Sequence, residues 1–233
     1  MSVERLPDFE YRITAGHTTG HTRIPLHLDP LTRDLDVPAH FEAPAWVRLD
    51  YHQCAQCPLS KDTHRDCPVA LRLAWAFSQA EWGDSYEDIE LNVRTPNRSY
   101  TAQTSLQRAM GSLFGLVCSL SPCPHTQPLR PMGIYHLPLA DESETFFRAA
   151  AVFLMHSYLR QQENPDHPVG LEQMEDTYGK LKEINRSFAN RLRSVEGAEA
   201  ATNAIILLDI LTRDVTFQLE EQMPHLRRLF GLP

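Results

Sequence analysis

The stretch Tyr51-His52-Gln53-Cys54-Ala55-Gln56-Cys57-Pro58-Leu59-Ser60-Lys61-Asp62-Thr63-His64-Arg65-Asp66-Cys67-Pro68 decides how the chain is read. It gathers three of the five cysteines and a histidine between positions 54 and 67. Cys54 and Cys57 form C-x2-C, His64 and Cys67 form H-x2-C, and the six residues between the pairs suffice for a tight loop. A tetrahedral zinc site is assembled from such spacing, because a borderline-soft, redox-inert ion matches thiolates and an imidazole. The expected metal ligands are therefore Cys54, Cys57, His64 and Cys67, and the expected cofactor is zinc. Four protein ligands leave no position for a reacting water, so the ion would be structural. An iron–sulfur cluster on Cys54, Cys57 and Cys67, completed by His64 or a remote cysteine, is the alternative. His52 is a further donor that an extended backbone would leave on the same face as Cys54.

Downstream of the clip, Pro68 to Phe77 holds strong helix formers with a proline suited to the first turn. Cys67 then sits at a helix N-terminus, where the dipole favours a thiolate and is expected to lower its pKa. Upstream, Trp46-Val47-Arg48-Leu49-Asp50-Tyr51 alternates and predicts a strand leading into the clip, after an extended stretch with Pro38 and Pro44. Phe9 to Ile13 and Thr22 to Leu28 alternate as the arms of a hairpin. Their connection carries His17 and His21, which read as loop residues rather than a second metal site. Tyr86 to Arg94 alternates cleanly, and Ser99 to Ala102 is its expected hairpin partner across Thr95-Pro96-Asn97-Arg98.

From Thr104 the period becomes helical. Leu106, Met110, Leu113, Phe114, Val117 and Cys118 share a face, which reads Cys118 as core. Residues 122 to 138 carry five prolines and predict an irregular connector holding Cys123, His125 and His136. Asp141 and Glu144 predict a capping box, with Phe147, Ala151, Leu154 and Tyr158 following at helical spacing. Leu171, Met174, Tyr178, Leu181, Asn185, Phe188, Leu192 and Val195 form a helix-packing seam with one polar member. A last helix from about 198 to 222, with Asn203 and Asp209 off its apolar stripe, would answer that seam. The expected fold class is α+β in a single domain over 1–233. A sheet-rich part, 1–102, carries the clip, and 103–233 is helical, so that a small antiparallel sheet and zinc clip pack on a C-terminal helical bundle.

A formal net charge of -8 and a pI near 5.7 argue against a nucleic-acid partner, which needs a basic surface to displace phosphate counterions. Arg186, Arg191 and Arg193, like Arg227 and Arg228, read as solvated faces. The first residues lack a signal-type apolar segment, and no apolar run of about eighteen residues occurs, so neither export nor a membrane partner is expected. In the expected cytoplasmic setting, clustered cysteines hold metal more readily than disulfides. No H-E-x-x-H, G-x-S-x-G or glycine-rich phosphate loop is present.

The run Cys54-x2-Cys57-Pro58-Leu59 and His64-x2-Cys67-Pro68, followed by Ser85-Tyr86-Glu87, Thr104-Ser105-Leu106-Gln107, Cys123-Pro124, Pro131-Met132, His136-Leu137-Pro138 and Glu144-Thr145, resembles an uncharacterised family of proteobacterial proteins. The resemblance spans most of the chain and implies a shared fold and a bacterial cytoplasmic setting. It transfers no catalytic residue, and Pro122 stands where that family commonly has glycine before the second cysteine-proline. The function expected from all this is a zinc-binding module that acts on a protein or small-molecule partner rather than an enzyme. The alternative is a cysteine-dependent enzyme or redox sensor using Cys123 with His125 or His136.

Overall fold

Alternation of apolar and polar residues builds one four-stranded antiparallel sheet in the computed structural model, which describes residues 5–15, 21–80, 83–193 and 223–233. Strands β1 (Phe9–Ala15), β2 (His21–Leu26), β3 (Asp88–Thr95) and β4 (Arg98–Ser105) lie in the order β2-β1-β3-β4. Both expected hairpins are present. The sequence-based reading missed that β1 also pairs with β3, from Glu10 opposite Arg94 to Ala15 opposite Ile89, which joins the hairpins edge to edge. Phe9, Tyr11, Ile13, Ile24, Leu26, Ile89, Leu91 and Val93 are all buried on one face. Each such side chain contributes on the order of 1.5–3 kcal/mol by leaving water. On the opposite face Glu10 is buried as well, and both Arg12 and Arg23 donate to its carboxylate. Burial alone would push that carboxyl up, but the two guanidiniums hold it below the usual range.

Five helices complete the described core: α1 (Pro68–Ser78), α2 (Leu106–Ser119), α3 (Arg130–Ile134), α4 (Glu142–Glu163) and α5 (Glu172–Arg193). A further helical turn covers 223–229. The fold is α+β, as expected. Helix α2 buries Leu106, Met110, Leu113, Phe114 and Val117, and Cys118 with them, in the core shared with the sheet. Phe114 meets Phe188 of α5 edge to face at 5.7 Å. On α5 the expected seam is buried at Met174, Tyr178, Leu181, Asn185, Phe188 and Leu192. Val195 and the expected helix 198–222, with Asn203 and Asp209, lie outside the described residues, as does His17.

Helix α4 starts as expected. The Glu144 N–H donates to Asp141 Oδ1 at 2.8 Å and the Asp141 N–H donates to Glu144 Oε2 at 2.9 Å, a complete capping box. Two expectations need correction. The connector 122–138 is not irregular throughout: Gln127–Leu129 forms a 3-10 turn and Arg130–Ile134 a short helix. Pro128 and Pro131 fall in the first turns, where the missing N–H costs nothing. The strand expected at Trp46 to Tyr51 is also absent. Ala45–Val47 forms a 3-10 turn, and strand-like pairing is limited to an Arg48–Asp66 bridge.

Candidate metal centre

The clip closes at its base. The Cys67 N–H donates to Val47 O at 2.9 Å and the Leu49 N–H donates to Arg65 O at 3.0 Å, so residues before Cys54 and around Cys67 meet as the motif requires. The Cys57 N–H donates to Cys54 O at 3.0 Å and folds C-x2-C into one tight turn. His52 stands in the left-handed region at φ 45, and Ser187 of α5 donates to its carbonyl. Cys67 is the N-cap of α1 with Pro68 directly after it; its side chain makes no capping hydrogen bond, although the nearby Ala70 and Val69 N–H groups favour its thiolate form.

The carbonyls expected to pair with a neighbouring strand go elsewhere. Arg191 of α5 is only 1% exposed and donates to Trp46 O at 2.6 Å, Arg48 O at 2.8 Å and Leu49 O at 3.2 Å. This corrects the reading of Arg191 as solvated, and it explains the missing strand: one guanidinium fork satisfies the acceptors that a ladder would have used. Arg186 and Arg193 are exposed as expected. The signal for Arg191 was in its spacing, three residues after Phe188 on the buried seam.

The thiols lie in this same region. Burial pushes Cys54 up to about 11; the nearby Ser187 hydroxyl opposes this, and the charges of Cys67, Cys57 and Cys123 reinforce it. Burial likewise raises Cys67, although two N–H donors and Arg191 pull in the other direction. The helix terminus was expected to lower this thiol, but loss of water outweighs it. Cys118 is held well above its ordinary value by burial, as suits a core residue. All five cysteines are free thiols. As the side chains stand, no three histidine, cysteine, aspartate or glutamate groups among the described residues are gathered closely enough to hold an ion. The donor set nevertheless has the chemistry zinc takes, since sulfurs from both ends of the clip lie within reach of one another's charge.

His64 is exposed, and its Nδ1 lies 2.9 Å from Thr63 Oγ1. Cys123, from the loop after α2, is half-buried, and burial pushes its thiol up although the His125 and Thr126 N–H groups pull the other way. The His125 ring donates from Nε2 to Gln56 O at 2.8 Å, which docks that loop on the C-x2-C turn. His136 sits with other partners. Its Nε2 is 2.7 Å from the Tyr11 hydroxyl and 3.3 Å from Ser112 Oγ, and Tyr11 and Ser112 are 3.1 Å apart. Burial first, and then the Arg148 guanidinium, depress the imidazole to about 3, so the ring is neutral. Burial also raises the Tyr11 hydroxyl. Sequence reading passed over Tyr11 and Ser112, because a tyrosine in a strand and a serine in a helix carry no signal until the fold brings them together.

Among the described residues no helix is long and apolar enough to cross a membrane. Neither a curated protein nor a solved structure matches the chain. One family does match, over residues 8–231, under the description "Domain of unknown function (DUF6901)". That span is nearly the whole sequence, and the chain belongs to this family.

Proposed function

We propose that this protein is a zinc-stapled binding module, in which one ion held by the thiols of Cys54, Cys57 and Cys67 fixes the 45–67 segment onto α1 and α5. The observation that carries the reading is the closure of the clip beside the buried Arg191 guanidinium: the Cys67 N–H donates to Val47 O at 2.9 Å and the Cys57 N–H to Cys54 O at 3.0 Å. Thiolates in a buried place need compensating groups, and the Ala70 and Val69 N–H groups and the Arg191 guanidinium favour the charged form at Cys67. Zinc would convert thiols that burial holds protonated into bound thiolates, releasing protons as it binds. The fourth donor by spacing is His64. Iron–sulfur ligation would draw on the same thiols, and zinc is preferred because three cysteines and a histidine at this spacing would close a tetrahedral set.

A closed site does no chemistry at the metal, so the module acts through a protein or small-molecule partner, in the reducing cytoplasm of a bacterium. Nucleic acid is disfavoured by the net charge of -8. The rival reading, a nucleophilic Cys123, is less supported: its thiol is pushed up rather than activated, His125 is engaged with Gln56 O, and His136 with Tyr11 and Ser112. Metal analysis of purified protein is expected to find about one zinc per chain, lost in Cys57→Ser. A folded Cys57→Ser protein with undiminished zinc would sink the proposal.

A further inference from the structure

We infer that the fourth zinc ligand is Cys123, not His64, so that the site is a four-thiolate centre joining the clip to the loop after α2. The inference rests on the zinc reading above and adds the ligand that the spacing of the clip does not supply. Three observations support it.

First, Cys123 already belongs to the thiol group. Its charge acts on Cys54, and the charge of Cys67 acts on it. Second, the loop that carries it is docked on the C-x2-C turn by the 2.8 Å bond from His125 Nε2 to Gln56 O, sixty-nine residues apart in sequence. Although no three donors among the described residues are gathered as the side chains stand, the loop of Cys123 is already seated against the C-x2-C turn. His64 would instead have to leave solvent and its contact with Thr63 Oγ1.

Third, backbone N–H groups favour the thiolate at Cys123 as they do at Cys67, those of His125 and Thr126 in one case and of Ala70 and Val69 in the other. The Cys123 turn is itself closed by the Thr126 and Gln127 N–H groups donating to Cys123 O at 3.1 and 3.0 Å. The consequence is mechanical: the ion would tie α2, through its C-terminal loop, to the clip and to the start of α1.

Cobalt(II) in place of zinc reads the ligands directly, because thiolate-to-cobalt absorption scales with the number of sulfurs and the visible bands move with ligand type. The full-length protein and its His64→Ala and Cys123→Ser variants are compared with Cys57→Ser. Four-sulfur spectra in wild type and His64→Ala, with a loss of one part in four of the charge-transfer intensity and about 100-fold or more in zinc affinity in Cys123→Ser, are expected. A three-sulfur spectrum in wild type that collapses in His64→Ala and survives in Cys123→Ser would overturn the inference and leave the zinc reading intact. Failure of the wild type to bind zinc or cobalt removes both. If Cys123→Ser does not fold, alkylation of the wild type decides. Zinc should shield Cys54, Cys57, Cys67 and Cys123 together, and a chelator should expose all four at once. A Cys123 that alkylates equally fast with and without zinc overturns the assignment.

Discussion

Strands β1 and β3 pair at every position from Glu10 opposite Arg94 to Ala15 opposite Ile89, whereas the segment from Ala45 to Cys67 has one bridge, Arg48 to Asp66. In the sheet, backbone polar groups satisfy one another, and a buried apolar face supplies the driving force over many residues. In the clip they are satisfied by side chains from far along the chain: Arg191 takes three carbonyls, Ser187 takes that of His52, and His125 takes that of Gln56. The sheet therefore distributes its stability, and the clip concentrates it on a few long-range contacts. A segment built in the second way gains most from a metal, since an ion adds a crosslink where no ladder exists.

The comparison breaks most sharply at Arg191. Replacing it with alanine leaves the buried carbonyls of Trp46, Arg48 and Leu49 without their donor and removes a cation beside the thiols. Arg191→Ala is expected to cost about 3–5 kcal/mol, read as a lower urea midpoint at constant slope. Amide exchange should locate the damage. The Leu49 and Cys67 amides, which donate to Arg65 O and Val47 O, should lose protection first, while Leu91 and Val93 in β3 keep theirs. Equal loss in both regions would mean that the clip and the sheet are a single cooperative unit.

A smaller effect, on the sheet side, comes from His136, which pins β1 to α2 through Tyr11 and Ser112. Its folded pKa of about 3 lies below the ordinary value of 6.5. An unfolded chain takes up a proton below about pH 6.5 and the folded one does not until about pH 3. Stability is thus fully present above the upper value and is lost as pH falls through the window, with a slope of up to roughly 1.4 kcal/mol per pH unit. His136→Gln should flatten the dependence of the urea midpoint on pH between 6.5 and 4. An imidazole that titrates near 6.5 by NMR in the folded protein would remove this coupling.

What could be read in advance follows the same division. Local periodicity predicted β1 to β4, α2, α4 and α5, because alternation and helical spacing act over neighbouring residues. The Asp141 and Glu144 pair announced the start of α4 for the same reason. The β1–β3 pairing was not legible, since both strands expose an edge in either hairpin and nothing local selects the partner. Trp46 to Tyr51 alternates like a strand, yet the residue that decides its conformation is Arg191, more than 140 positions away. Within the candidate site, the spacing of Cys54, Cys57 and Cys67 marks them as donors, whereas the docking of the Cys123 loop on Gln56 O and the exposure of His64 are tertiary features that no motif records.

The smallest expected effect tests the local extreme of this contrast. Asp141 is exposed, and its carboxylate serves the Glu144 N–H at 2.8 Å while the Glu144 side chain returns the bond. Asp141→Ala should cost about 1 kcal/mol, and Asp141→Asn a few tenths, because an amide oxygen can still accept at the N-cap. The loss should be confined to the first turn of α4, visible as faster exchange of the Glu144 and Thr145 amides. It should also be unchanged by zinc or chelator, since no group of the cap touches the clip. If chelation instead doubled the cost of Asp141→Ala, the capped helix and the metal centre would share one unfolding unit. The separation drawn here between locally and remotely held structure would then fail at its simplest point.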